Sequence, residues 1–196
     1  SFAELGVAAE ICDGLATRGI TRTFAIQELT LPIALSGQDL IGQARTGMGK
    51  TYGFGVPLLD RVFDDADIEE LDGTPRALVV VPTRELAQQV TKDLQVAAAD
   101  IAVRLVSIYG GRPYEEQITK LNKGADVIIG TPGRLIDLHE RGNLQLDRVA
   151  ILVLDEADEM LDLGFLPSVE AILQALDGNA HQTMLFSATM PGAILT

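Results

Sequence analysis

Residues 150–158 read Ala150-Ile151-Leu152-Val153-Leu154-Asp155-Glu156-Ala157-Asp158, and this stretch decides the fold. An unbroken apolar run containing two β-branched residues is followed at once by carboxylates and a segment that can continue as helix. A strand apolar on both faces belongs inside a parallel sheet covered by helices on each side; a sheet wetted on one face would alternate apolar and polar. The same signature stands at Leu78-Val79-Val80-Val81. Working outward, the spacing predicts strands over residues 39–42, 77–81, 103–108, 126–129, 149–154 and 183–186. Helical period fills the gaps. Leu86, Val90, Leu94 and Ala97 form one stripe, Tyr114, Ile118 and Leu121 another with Pro113 in its first turn, and Val169, Ile172, Leu173 and Leu176 a third. Ahead of the first strand, Ala8, Ile11 and Leu15 predict a helix ended by Gly19, and a second helix runs from near Ala25 to before Gly37. Strand–helix alternation of this kind gives an α/β fold with a doubly wound parallel sheet. Residues 1–36 are then accessory helices and 37–196 the core of a single domain.

The chain has 196 residues, which fits one domain at about 150 residues per domain. A chain of this length can bury roughly 70% of its unfolded surface, so it needs neither disulfide nor metal to fold. A hydrophobic fraction of 47% excludes a disordered chain. No apolar run is long enough to span a bilayer, and no basic segment precedes one as in a signal peptide, so no membrane is expected. One cysteine, Cys12, excludes a disulfide framework and a cysteine-built zinc site, and it fits a reducing, cytoplasmic compartment. The net charge of −13 speaks against a general nucleic-acid binder. Nearly half of that excess sits in residues 60–72, where seven acids (Asp60, Asp64, Asp65, Asp67, Glu69, Glu70 and Asp72) face one base, Arg61. This stretch reads as a solvated loop, with a docking patch for a basic partner as the sharper alternative. The chain starts Ser1-Phe2 and stops at Thr196 just after an apolar segment, so a piece of a longer protein is expected.

The strongest local motif is Ala44-Arg45-Thr46-Gly47-Met48-Gly49-Lys50-Thr51, after a strand and opening a helix. Glycines let the backbone curl so that successive N–H groups point at phosphate oxygens, and the helix N-terminus adds partial positive charge. In such a loop Lys50 reaches the β- and γ-phosphates, and the Thr51 hydroxyl sits on Mg²⁺. The first glycine of the general pattern is Ala44 here. Downstream, Asp155 at the end of a buried strand would hold Mg²⁺ directly or through water, and Glu156 would orient or deprotonate a water attacking the γ-phosphate. Alone, these acids have a lesser alternative as a helix start that merely suits the dipole. With Lys50 upstream, the catalytic set Lys50, Asp155 and Glu156 is the expectation.

Here the chain resembles the DEAD-box ATP-dependent RNA helicases. Asp155-Glu156-Ala157-Asp158 spells the family name, and the rest of its first-lobe set stands in order. Phe2 lies upstream of residues 19–27, which resemble the Q motif; residues 44–51 match motif I, including Ala44 for glycine. Pro82-Thr83-Arg84-Glu85-Leu86-Ala87 matches motif Ia, Gly110-Gly111 the GG doublet, Thr131-Pro132-Gly133-Arg134 motif Ib, and Ser187-Ala188-Thr189 motif III. Ile20 stands where the family usually has an aromatic that stacks on adenine, Thr23 replaces a common proline and Met48 a common serine. The resemblance covers essentially the whole chain. It implies a RecA-like lobe that binds ATP and Mg²⁺ and a partner lobe of the same protein whose arginines complete the site. An arginine at the γ-phosphate is worth about 10³–10⁵ in rate in related nucleotidases, so this lobe alone should turn ATP over very slowly.

The remaining site residues follow from the same resemblance. Ile20, Gln27 and residues 44–51 are the expected ATP contacts. The amide of Gln27 can donate and accept together, which suits adenine and mismatches guanine; as a lone residue it could equally cap a helix. Pro82, Thr83, Arg84, Gly110, Gly111, Thr131, Pro132, Gly133 and Arg134 are the expected RNA-backbone contacts; otherwise they are helix starts and a tight turn. Backbone contacts carry no base code, so binding should be sequence-independent, with a shallow salt slope of about −2 for three phosphates on a single strand. Asp158, Ser187, Ala188 and Thr189 are the expected coupling residues between ATP and RNA. His139, His181, Met160, Leu161 and Phe165 read as structural, and Cys12 as core. A monomer is expected. The alternatives are a DNA-directed helicase of the same superfamily, a catalytically silent RNA-binding scaffold and, weakest, a small-molecule kinase. Asp158 and Gln27 speak against the first, and intact Lys50, Thr51, Asp155 and Glu156 against the second.

Overall fold

The computed structural model describes residues 1–20, 25–43, 48–64 and 71–189. Among them, six strands form one sheet: β1 (Leu40–Gln43), β2 (Ala77–Val80), β3 (Leu105–Ile108), β4 (Val127–Gly130), β5 (Ile151–Leu154) and β6 (Gln182–Ser187). All neighbours are parallel, in the order β1-β6-β5-β2-β4-β3. Eight α-helices connect or flank them: α1 (Ala9–Ala16), α2 (Ala25–Leu35), α3 (Met48–Asp64), α4 (Arg84–Ala97), α5 (Tyr114–Lys123), α6 (Pro132–Glu140), α7 (Ala157–Asp162) and α8 (Leu166–Leu176). Every strand predicted from the apolar pattern forms.

The two-faced apolar strands have a direct cause. Val79, Ile129, Val153 and Phe186 point into one core with α1 to α4. Their neighbours Leu78, Val80, Ile128 and Leu152 point into a second core with α6 to α8. Alternation disappears where both faces are covered and returns at the edges. Ile41 in edge strand β1 is 58% exposed, and edge strand β3 alternates half-buried with buried residues. The helices before β1 are part of this packing, since Ile11, Leu15, Leu31 and Ala34 are fully buried in the first core.

A buried polar link fixes β1 against the rest. Gln182 at the start of β6 accepts from Arg61 of α3 at 2.6 Å and donates to the carbonyls of Ala34 and Gln38 at 3.0 and 2.7 Å. Burying the Gln182 and Arg61 side chains requires this mutual satisfaction, and it holds the α2–β1 turn in register with β6. Between the same elements, Gly42 passes so close to the Phe186 ring that a Cβ there would lie 2.7 Å from it.

Two expectations are corrected. Pro113 is not in the first turn of α5 but one residue ahead, as an extended N-cap with φ −60° and ψ 137°. The ring fixes φ near −65°, which an extended N-cap and a first helical residue both accept, so φ alone does not choose between the two places. The acidic stretch is not a loop throughout. Residues 60–64 are the last turn of α3, because Leu58, Leu59 and Val62 keep an apolar stripe buried there. Asp60 accepts from the Ala8 amide at 2.7 Å. Asp72 is held by the Thr74 hydroxyl and amide, with Arg76 and Arg148 alongside, which brings its carboxyl down to about 2. Residues 65–70 lie outside the described residues.

Helices α1 and α4 touch backbone to backbone at Gly14, where a Cβ would lie 2.6 Å from the Val96 carbonyl oxygen and 3.0 Å from that of Ala97. Alanine is the better helix former, by about 1 kcal/mol. Packed carbonyls cannot yield as a side chain would, so overpacking wins. Gly14→Ala is expected to lower stability by about 1–3 kcal/mol, read as a fall in the denaturant midpoint at constant slope. An unchanged midpoint would show that α1 shifts freely.

Candidate nucleotide and RNA site

Helices α3 and α4 leave the carboxyl ends of their strands toward one face, and α5 to α8 toward the other. The sheet therefore opens at its carboxyl edge between β1 and β5, the position at which α/β sheets bind ligands. Lys50 and Thr51 reach this opening from the first turn of α3, and Asp155 and Glu156 from the end of β5. Lys50 is 4% exposed and its Nζ lies 2.9 Å from Asp155 Oδ1 and 3.5 Å from Glu156 Oε1. A lysine buried this deeply must be paired. Ala44, Arg45, Thr46 and Gly47 lie outside the described residues, and Met48 and Gly49 open α3.

Burial pushes the Asp155 carboxyl up, against the opposing pull of the Lys50 ammonium. Its Oδ2 is buried and no described residue donates to it. With the buried Thr51 hydroxyl on the same edge, this oxygen suits a hydrated Mg²⁺, which commonly takes one or two protein ligands plus water and phosphate. No cluster of three or more His, Cys, Asp or Glu able to cage a metal is present among the described residues.

Glu156 has φ +53° and ψ 51°, the sole positive φ at a non-glycine among the described residues. This left-handed turn costs about 1–2 kcal/mol and turns the chain sharply from β5 into α7. Nothing in the residue's identity signals it, because the sequence pattern reads as an ordinary acidic helix start.

The carboxylate after it is tied to β6. The Asp158 amide donates to Ser187 Oγ at 3.2 Å, and the Thr189 amide and hydroxyl donate to Asp158 Oδ2 at 3.2 and 3.1 Å. Burial raises the Asp158 pKa, but hydrogen bonds to the carboxyl from the Ser187 and Thr189 hydroxyls and the Glu159 and Thr189 amides together outweigh it and hold it below its ordinary value. Ser187 is fully buried, while Ala188 and Thr189 are exposed at the edge. Gln27 is fully buried in α2, and Ile20 is half-buried against the first core.

The other expected set gathers on the far half of the same edge, past β2, β4 and β3. Thr83 is the N-cap of α4, its hydroxyl accepting from the Leu86 amide at 3.1 Å. Arg84 is half-exposed and lies against Gly111, whose φ is +82°. Gly110 and Gly133 are exposed, and Pro82 and Pro132 are buried beneath their turns. Thr131 is the N-cap of α6 with Pro132 in the first turn, as expected, but its hydroxyl makes no capping bond. Arg134 donates to the Arg112 carbonyl and to Gln117 Oε1, both at 2.9 Å, and stacks 3.9 Å from the centre of the Tyr114 ring. Arg141 covers the same ring at 4.1 Å, and the Tyr114 hydroxyl donates to Asp137. The Asp137–Arg141 pair is legible as an i,i+4 spacing. The contribution of Tyr114 and Gln117, which orient Arg134 from another helix, had no sequence signal. His139 and His181 face the backbone carbonyls of Leu144 and Asn179 at 2.9 Å. Cys12 is half-buried beside the first core.

One parallel six-stranded sheet, with the Lys50–Asp155–Glu156 cluster at its switch point, defines a RecA-like lobe. The DEAD/DEAH box helicase model matches residues 24–195, and the chain belongs to that family. It is 46% identical over 194 residues to DEAD-box ATP-dependent RNA helicase 9, mitochondrial, of Arabidopsis thaliana, covering 99% of this chain and 31% of that protein. It is also 46% identical to DEAD-box ATP-dependent RNA helicase CshA of Geobacillus kaustophilus, covering 40% of it. The chain thus spans about a third of the length of the curated relatives it matches. Among solved structures, a DEAD box protein from the hyperthermophile Methanococcus jannaschii superposes with a TM-score of 0.89 at 39% identity, over 99% of this chain and 51% of that one. No described helix is long and apolar enough to cross a membrane.

Proposed function

We propose that this chain is the ATP-binding lobe of an RNA helicase that uses ATP hydrolysis to remodel or locally unwind RNA. The observation that carries the reading is the buried cluster of Lys50, Asp155 and Glu156 at the carboxyl edge of the sheet. Lys50 is placed to exchange its carboxylate partners for phosphate oxygens. Thr51 and Asp155 would hold Mg²⁺, which would supply positive charge to offset that of the phosphates. Glu156, aimed from the turn after β5, positions the attacking water and takes its proton. Gln27, from α2, reads adenine, and Ile20 covers its ring. Asp158 links this half of the edge to Ser187 and Thr189, so a displacement of α7 on nucleotide binding is transmitted to β6.

The RNA backbone lies across Thr83, Arg84, Gly110, Gly111, Thr131, Gly133 and Arg134, with Pro82 and Pro132 shaping the turns from beneath. Recognition is sequence-independent because these groups meet phosphate and sugar. A second RecA-like lobe of the same protein closes over both ligands. The lobe works as a monomer, and its single half-buried cysteine suits a reducing, cytoplasmic compartment. The test is ATP turnover by the longer protein with and without single-stranded RNA. Stimulation by RNA of any sequence is expected, with the 196-residue chain alone far slower. Turnover indifferent to RNA would overturn the reading.

A further inference from the structure

Edge strand β3 lies at the floor of a groove of about 450 Å³ between α4 and α5, away from the nucleotide site. Its backbone is half used. The carbonyls of Arg104 and Ile108 accept from the amides of Val127 and Thr131 on the β4 side. Alternation along a parallel strand puts Val106 with them and turns the amide and carbonyl of Leu105 and Ser107 outward, into the groove. Such an edge is a template for another extended chain.

The groove walls are cationic. Arg104, Arg112, Lys120 and Lys123 line it; Lys120 pairs with Glu116 at 3.7 Å and Arg104 with Asp126 at 3.2 Å, which leaves the lining net positive through Arg112 and Lys123. This concentration stands out in a chain of net charge −13. Arg104 is fixed at the amino end of β3 by Asp126, which accepts from its Nε and Nη2 at 3.2 Å each, and by the Lys123 carbonyl, which accepts from its Nη1 at 3.3 Å. Lys120 and Lys123 stand along α5, and Arg112 at the carboxyl end. An RNA strand would answer the charge but not the row of outward amides and carbonyls. An extended acidic peptide answers both.

We infer that the β3 groove docks an acidic peptide segment of a protein partner, which pairs as an added strand along Leu105 and Ser107 while its carboxylates meet Arg104, Arg112, Lys120 and Lys123. Strand addition of this kind draws affinity from main-chain bonds and selectivity from the flanking side chains.

The probe is a peptide of alternating glutamate and valine, titrated into the chain and followed by amide NMR. The amides of Leu105 and Ser107 are expected to shift, and the doubly reversed variant Lys120→Glu with Lys123→Glu to bind about tenfold more weakly, as exposed charge pairs contribute modestly each. A peptide N-methylated at alternate residues keeps its charge but cannot pair, and is expected to lose binding without any change to the protein. Equal binding by the methylated peptide or by the lysine–valine counterpart would overturn the inference. So would the absence of peptide binding, or oligouridylate shifting these same amides in its place. None of these outcomes depends on nucleotide binding at Lys50.

Discussion

Lys50→Ala is expected to destabilise the folded chain by about 3–5 kcal/mol as well as to abolish nucleotide binding, because it strips a fully buried carboxylate of its counter-charge. Asp155 is 0% exposed and Lys50 is its ion-pair partner at 2.9 Å. The effect carries a sign in pH. Burial already lifts the Asp155 pKa above its unfolded value. A group so raised favours the folded state below its ordinary pKa, and that contribution is lost as pH rises through the raised value. Without Lys50 the pKa moves further up. The deficit of the variant should therefore be largest near neutral pH and shrink on acidification, as Asp155 takes up a proton and the buried charge disappears. Denaturant unfolding of the parent and the variant across mildly acidic to neutral pH checks this. Adding Asp155→Asn should recover much of the stability and none of the nucleotide binding. A deficit independent of pH would mean that the loss comes from packing of the lysine stem.

Glu156→Gln is expected to lower RNA-stimulated ATP turnover of the longer protein by about 10²–10⁴-fold, the usual worth of a positioned general base. Nucleotide affinity should be retained, since Lys50, Thr51 and Asp155 are untouched. A second substitution separates chemistry from backbone. Glu156→Gly should lose turnover equally yet unfold at a higher denaturant concentration, because the φ of +53° is strained for glutamate and open to glycine. Steady-state rates together with unfolding midpoints read both effects. Turnover within a few-fold of the parent in Glu156→Gln would remove this residue from the reaction.

The strained turn also marks the boundary of what the sequence discloses. The runs at 77–81 and 149–154 announce buried parallel strands because a two-faced apolar strand has few other places to go. Strand ends then locate Lys50, Asp155 and the turns after β2, β3 and β4 on one edge, since in such a sheet every strand points the same way. What stays hidden depends on partners far apart in the chain. Gln182 meets Arg61, Ala34 and Gln38 only through the sheet order. Tyr114 lies between Arg134 and Arg141 because α5 and α6 are neighbours in space. Nor does the acidity of residues 60–72 show that their first turn is helical, because the deciding apolar stripe of Leu58, Leu59 and Val62 begins upstream and runs into it. The outward amides of β3 follow from its being an edge, which no run of residues declares.

The proposed function requires a phosphate site built around Lys50 and an adenine contact through Gln27. The most direct measurement is a calorimetric titration of the chain with Mg·ADP, with Mg·GDP as its counterpart. Binding of ADP with little or no binding of GDP is the predicted result. Equal affinity for the two would contradict adenine reading by Gln27, and binding of neither would contradict a phosphate site preformed in this lobe.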